Sequence, residues 1–232
     1  FVSPQPHRLH FDVFYSFSGG NRRAAPFRGG LIGPQTAPST LVSPRSFFPM
    51  DISKIPTGVN PPYDVNAIIE IPQGGEPVKY ELDKDRGAIM VDRFLHTAMY
   101  YPGNYGFIPH TLSDDGDPMD VLVVGPTPVV PGAVIRVRPI GTLMMVDEAG
   151  GDEKILAVPV DKLHPFYAGV DSWRGLPAIL TEQIAHFFQH YKDLEKGKSV
   201  EIVRWADPEE TGELIRQGIE RAKAAGKGQP GT

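Results

Sequence analysis

The chain has 232 residues, a formal net charge of −5 and 41% apolar residues, an ordinary balance for a globular protein. It contains no cysteine, which excludes disulfides and thiolate metal sites and leaves oxygen and imidazole as metal donors. No stretch approaches the ~20 apolar residues that a membrane-spanning helix needs, so no membrane partner is expected.

Residues 1–49 stand apart. They carry Arg8, Arg22, Arg23, Arg28 and Arg45 against a single acid, Asp12, and are rich in Pro, Ser and Gly. They show no sustained period of 2 or 3.6, and such a segment buries too little apolar surface to offset its ordering entropy. The expectation is a disordered or non-native extension ahead of a start at Met50. An Arg-rich, acid-poor leader also has the composition of an organellar transit peptide, which is the alternative. Taking those residues from 23 basic and 28 acidic leaves 18 and 27 over 50–232. An acidic body argues against nucleic-acid binding, which depends on many Lys and Arg contacts to phosphate.

From residue 65 the chain reads as β-rich. Short apolar or alternating runs at 65–71, 78–82 and 88–91 are separated by Pro and Gly turns. Further runs follow at 119–124, 133–140, 142–146 and 154–160. Ile135, Val137 and Pro139 alternate with Arg136 and Arg138, as in a half-buried strand. Several short strands with regular turns predict a small barrel. Leu180, Ile184, Phe187, Phe188 and Tyr191 then fall on one face of a helix. After a strand at 199–205, Asp207, Pro208 and Glu210 have the spacing of a capping box opening a second helix, which ends near Gly226. The domain is therefore expected over 50–226, with a flexible tail at 227–232.

The chemistry centres on Asp114-Asp115-Gly116-Asp117-Pro118-Met119-Asp120, four carboxylates within seven residues. Brought together unpaired they repel one another, and a divalent cation with a preference for oxygen removes that cost. Gly116 and Pro118 make a tight turn and Asp120 opens the next strand, so Asp115, Asp117 and Asp120 are able to converge. The blander reading is an acidic surface turn. An EF-hand fits worse, because the sixth and twelfth positions from Asp115 hold Asp120 and Pro126 instead of Gly and Glu. A second acidic run, Asp147 to Glu153, lies between two predicted strands. Beside the first it suggests a multi-metal site of the kind used for displacement at phosphorus; alone it is a solvated hairpin loop. His186 and His190 stand at i and i+4, but no nearby Glu completes a hydrolytic zinc motif.

At these residues the chain resembles the family I soluble inorganic pyrophosphatases of the bacterial type. Asp115-Gly-Asp117-Pro-Met-Asp120-Val121 matches that family's signature. So do Glu70 in Ile-Ile-Glu-Ile-Pro, Lys79 and Glu81 in Val-Lys-Tyr-Glu-Leu-Asp, and Arg93 in Val-Asp-Arg-Phe. Tyr101 and Tyr105 fall in Tyr-Pro-Gly-Asn-Tyr-Gly. Asp147, Glu148, Asp152 and Lys154 fall in the second acidic run, and Tyr191 and Lys192 in His-Tyr-Lys-Asp-Leu-Glu. The likeness covers about residues 52 to 225; residues 1–49 have no counterpart in it.

The resemblance implies an OB-like five-stranded β-barrel with helices packed outside, a mainly β fold with flanking helices. It implies a cytoplasmic homohexamer that hydrolyses pyrophosphate with several Mg²⁺ ions per site, Mn²⁺ being a possible substitute. Asp115, Asp120 and Asp152 would hold the activating metals, joined by Glu70, Glu81, Asp147 and Glu148. Lys79, Arg93, Tyr101, Tyr105, Lys154, Tyr191 and Lys192 would bind substrate, and Asp117 would act as general base toward a metal-activated water. A phosphohydrolase acting on nucleotides or phosphate esters, and an OB-like barrel that binds oligonucleotides, are the rival readings.

Overall fold

The computed structural model describes residues 50–229, so the expectations for residues 1–49 and for the last three residues lie outside the described residues. The elements in order are β1 (Gly58–Asn60), β2 (Asp64–Ile71), β3 (Val78–Asp83), β4 (Ala88–Phe94), β5 (Asn104–Phe107) and β6 (Asp120–Val123). They continue with β7 (Val134–Asp147), β8 (Gly150–Pro159), α1 (Ala178–His190), β9 (Val200–Ala206) and α2 (Pro208–Ala224).

Five strands close a ring. β2 pairs with β5, β5 with β6, β6 with β8, β8 with β7, and β7 returns to β2. All of these pairings are antiparallel except β6 with β8. This is the expected five-stranded barrel; β1 and β9 extend it, and β3 and β4 form a separate hairpin. Alternate residues of the ring strands enter different clusters, as strand geometry demands. Val121, Val123, Ile155 and Ala157 pack with Val65, Ala67 and Ile69 and with Ile215 of α2. Leu122 and Leu156 pack with Tyr101, Tyr105 and the α1 residues Ile184, Phe187 and Phe188. Strands apolar on both faces thus read as short continuous runs, because both faces are covered.

Three local expectations need correction. The runs at 133–140 and 142–146 are one strand, β7, whose register slips between Pro139 and Gly141. There a Cβ on Gly141 would meet the Trp173 side chain at 2.6 Å, so the bulge and the close approach coincide. The capping box at the start of α2 does not form. Asp207 makes no side-chain cap and pairs with Arg174, while Glu210 is held by Arg204 at 2.6 and 2.8 Å. Charge partners nearby outcompete the backbone N–H groups. The third is β5, which lies in a segment that reads as turn. It is four residues long, and Asn104 holds its start. Gln73 and Val129 donate backbone N–H groups to Asn104 Oδ1 at 3.0 and 2.7 Å, and Asn104 Nδ2 donates to Thr127 O at 3.1 Å. At the other end of the domain, the Lys227 N–H donates to Ala222 O at 2.8 Å and the Thr57 N–H to Gln229 Oε1 at 3.3 Å.

Gly106 lets β5 close against β2. A Cβ there would lie 1.9 Å from Ile68 O and 2.9 Å from Ile69 Cα, which are backbone atoms that no rotamer change can move. Gly106→Ala is expected to force β2 and β5 apart and destabilise the domain by about 3 kcal/mol or more, the upper range for overpacking. Thermal unfolding checks this; an unchanged melting temperature would show that the ring has slack at this crossing.

Candidate active site

The barrel topology brings two acidic segments together. Asp120 is the first residue of β6 and lies in register with Lys154 of the parallel neighbour β8. Gly150, Asp152 and Lys154 alternate onto one face of β8, so Asp152 and Lys154 point the same way. The Lys154 ammonium donates to both Asp120 Oδ2 and Asp152 Oδ1. Lys154 is only 5% exposed. Burial would lower its pKa, but the two carboxylates overcome that and hold it above the ordinary lysine value. Burial pushes Asp152 up, against the opposing pull of Lys154.

Asp147 ends β7 and Glu148 sits in the hairpin turn. Lys192, the second residue after α1, donates from Nζ to Asp147 Oδ2 at 2.8 Å and lies 3.7 Å from Glu148 Oε2. Burial raises the pKa of Asp147, but the Lys192 hydrogen bond and the Ala149 N–H prevail and leave it low. Glu70, on β2, is 8% exposed and accepts the Leu82 N–H at 2.7 Å. Burial is the main cause that lifts its pKa to about 7, with Asp120 and Glu81 adding to it.

The β3–β4 hairpin forms the facing wall. Lys79 pairs with Glu81 and lies 3.3 Å from Asp92, and Arg93 Nη1 donates to Asp92 Oδ2 at 3.0 Å. The loop before β6 carries Asp115 and Asp117, both exposed. The Asp117 N–H donates to Asp115 Oδ1 at 3.0 Å, the Ser113 N–H donates to Asp117 O at 2.7 Å, and Gly116 turns with φ +90°. Asp117 is thereby tethered by its backbone, while its side chain stays exposed to solvent.

Apart from Asp92, the charged side chains named above line one cleft of about 450 Å³. Nine carboxylates face six cations there, an excess of three negative charges. They are also sorted. Eight of the nine carboxylates, all but Glu81, stand on β2, on the β7–β8 hairpin or in and just after the loop before β6. Five of the six cations, all but Lys154, stand on the β3–β4 hairpin or after α1. Among the described residues no three Asp, Glu and His side chains are gathered closely enough to share one ion, because lysine ammoniums lie between them. The donor set nonetheless fits hard divalent cations: it is all oxygen, in charge excess, and each ammonium occupies carboxylate oxygens that a metal ion would also take.

Of the expected site residues, Glu70, Lys79, Glu81, Arg93, Tyr105, Asp115, Asp117, Asp120, Asp147, Glu148, Asp152, Lys154, Tyr191 and Lys192 all line the cleft. Tyr101 does not. It is 3% exposed, with its ring against Tyr105 at 5.6 Å and Phe187 at 4.8 Å, so the structure places it as a core support for Tyr105. Lys84 and Lys198 line the cleft without having been read from the sequence. Lys84 Nζ lies 3.8 Å from Asp117 Oδ1, and Lys198 pairs with Glu148. A surface lysine beside a turn has no sequence signal; only the fold shows what it faces. His186 and His190 lie outside the cleft, their rings 4.6 Å apart on α1.

A five-stranded barrel with a cleft that sets carboxylates against ammonium and guanidinium groups has the donor set of a hydrolase site for charged substrates. The sequence profile of the inorganic pyrophosphatase family matches residues 67–223. The chain is 82% identical over 172 residues to the inorganic pyrophosphatase of Caulobacter vibrioides, covering 74% of this chain and 97% of that one. It is 63% identical over 174 residues to that of Bradyrhizobium diazoefficiens, covering 75% and 98%. Its fold is similar to the crystal structure of the inorganic pyrophosphatase from Thermus thermophilus, with TM-score 0.71, 41% identity, and coverage of 75% of this chain and 99% of that one. The chain belongs to the inorganic pyrophosphatase family, a family of hydrolases.

Glu70 makes the stability of the metal-free protein depend on pH. Its folded value of about 7 lies above the ordinary 4.5. Between those values the native state holds a proton that the unfolded chain has released, so stability is full at low pH and falls as pH rises through 7. The loss is at most about 3 kcal/mol. In chelator, Glu70→Gln is expected to raise the melting temperature at pH 8 above that of the parent and to reduce its fall between pH 5 and pH 8. Equal slopes for the two proteins would show that Glu70 is ionised throughout.

Proposed function

We propose that this chain hydrolyses inorganic pyrophosphate to two orthophosphates, with Mg²⁺ as activator and Mn²⁺ as substitute. The observation that carries the reading is the sorted cleft, with carboxylates on the barrel side and cations on the hairpin and α1 side. A tetra-anion accompanied by divalent cations complements both walls at once. A nucleic-acid backbone would meet the excess negative charge unaccompanied. Family membership and the names of the bacterial relatives support the substrate. The homohexamer and the cytoplasmic location expected from the resemblance belong to the same proposal.

Asp115, Asp120 and Asp152 would hold the activating ions, with Glu81, Asp147, Glu148 and Glu70 completing the metal-facing set. When bound, such ions neutralise substrate charge and make a coordinated water more acidic. The chain's own groups do the rest. Lys79, Arg93, Tyr105, Lys154, Tyr191 and Lys192 bind phosphate oxygens. The hydroxyls of Tyr105 and Tyr191 stay protonated, since burial raises both, and so remain donors to phosphate oxygens. Asp117 accepts the proton of the attacking water, and the attack is direct, with no covalent enzyme intermediate.

The test is a phosphate-release assay with and without Mg²⁺, run in parallel on pyrophosphate and ATP. Metal-dependent release from pyrophosphate well above that from ATP is expected; the reverse preference would shift the reading to a nucleotide hydrolase. Asp117→Asn keeps the size of the side chain and removes the acceptor, so turnover should fall by about 100-fold or more at saturating Mg²⁺ with the melting temperature unchanged. Near-normal turnover would take Asp117 out of that role. Asp120→Ala should weaken Mg²⁺ binding in calorimetric titration and activity together, and unchanged Mg²⁺ affinity would contradict its place among the ligands.

A further inference from the structure

The loop that follows α1 contributes a carboxylate to which the sequence alone assigns no role, the last residue of His-Tyr-Lys-Asp-Leu-Glu. Glu195 is only 10% exposed at its side chain, and its Oε2 lies 3.3 Å from Nε of Arg93. Its other oxygen, Oε1, is buried with no hydrogen-bond partner, and so is Arg93 Nε. A carboxylate withdrawn from water in this way is costly unless a cation compensates it, and among the described residues Arg93 is the cation paired with Glu195. The same loop touches the hairpin once more, through His96 Nδ1 and Leu194 O at 3.3 Å.

The guanidinium is a planar fork with its donors on fixed edges. Asp92 takes Nη1, on one side, and Glu195 sits at Nε, on the other. Two carboxylates therefore set the rotation of the plane beside the cleft that Arg93 lines. The Nε contact is close but is not a hydrogen bond, so the guanidinium must rotate to turn it into one. Contacts of this kind tighten when a ligand draws on the cation.

We infer that Glu195 is a positioning residue, acting through Arg93 to present its guanidinium to a phosphate group in the cleft. The inference rests on Arg93 being a phosphate-binding residue, as in the proposed function. It makes the chain segment after α1 part of the binding apparatus twice over, through Lys192 directly and through Glu195 at second hand.

The experiment compares Glu195→Gln and Glu195→Asp, each in the parent and in an Arg93→Lys background, because lysine carries no fork to orient. Calorimetric binding of inorganic phosphate, kcat and KM for pyrophosphate, and melting temperature are measured. Glu195→Gln is expected to weaken phosphate binding and lower kcat/KM by about tenfold each, the middle of the range for residues coupled by direct contact. The melting temperature should change little, Glu195→Asp should recover part of the loss, and neither change should cost anything further in the Arg93→Lys background. Equal losses in both backgrounds would mean that Glu195 does not act through Arg93. So would full phosphate affinity in Glu195→Gln, or a parent protein that does not bind phosphate. If Glu195→Gln fails to fold, Glu195→Asp decides by the same comparison. A parent protein that binds phosphate yet releases none from pyrophosphate would sink the proposed function, while the phosphate titrations would still judge Glu195.

Discussion

Lys154 lies where β6 and β8 run side by side, the one parallel pairing of the ring, and its ammonium is buried between Asp120 and Asp152. That arrangement decides much else. Parallel register puts residue 120 opposite residue 154, so an aspartate at the start of one strand meets a lysine four residues into the next. Without the lysine, two partly buried carboxylates would face each other at the barrel mouth and repel. Without the carboxylates, an ammonium at 5% exposure would be untenable. Ring closure and site polarity therefore depend on the same three side chains.

The lysines of the cleft are counter-ions to its carboxylates: Lys192 for Asp147, Lys79 for Glu81, Lys154 for Asp120 and Asp152. Under the proposed function, a hard cation taking those oxygens would leave the ammoniums available to phosphate. The pairing keeps these partly buried charges compensated in the structure as it stands.

Most of this was legible in the sequence where local chemistry repeats a short pattern. The strands at 65–71 and 78–82, the hairpin between the two long strands and both helices follow from periodicity and turn residues. The carboxylates were legible because four acids in seven residues have few uses. What escaped was set by tertiary contact. β5 reads as turn because Gly106 is there to let another backbone approach and Asn104 is there to receive backbone donors, and neither serves strand propensity. The capping box failed because Arg174 and Arg204, distant or on another element, took both of its acids. Tyr101 sits in a motif with Tyr105, yet strand pleating and the α1 aromatics put it in the core. Glu195 sits in a lysine-rich stretch whose composition resembles any solvated loop, and only its burial against Arg93 distinguishes it.

The two walls of the cleft differ in how they are held. The barrel wall is continuous with the ring, whose strands are fully buried behind it. The β3–β4 hairpin belongs to no other sheet. It is fastened by apolar packing of Leu82 and Ile89 with Ile68 of β2 and Phe107 of β5, and by three polar links: Glu70 to Leu82 N, Arg93 to Glu195, and His96 to Leu194 O. Two of these three involve a charged group of the cleft itself. The wall that carries three of the six cleft cations, Lys79, Lys84 and Arg93, is thus tied down in part by charged groups of the cleft. Protonation of Glu70 or displacement of its neighbours changes the link to Leu82, and whatever draws on Arg93 pulls on Glu195. Apolar packing thus seats both walls, and the links through Glu70 and Arg93 add charged contacts from the cleft itself to the hairpin.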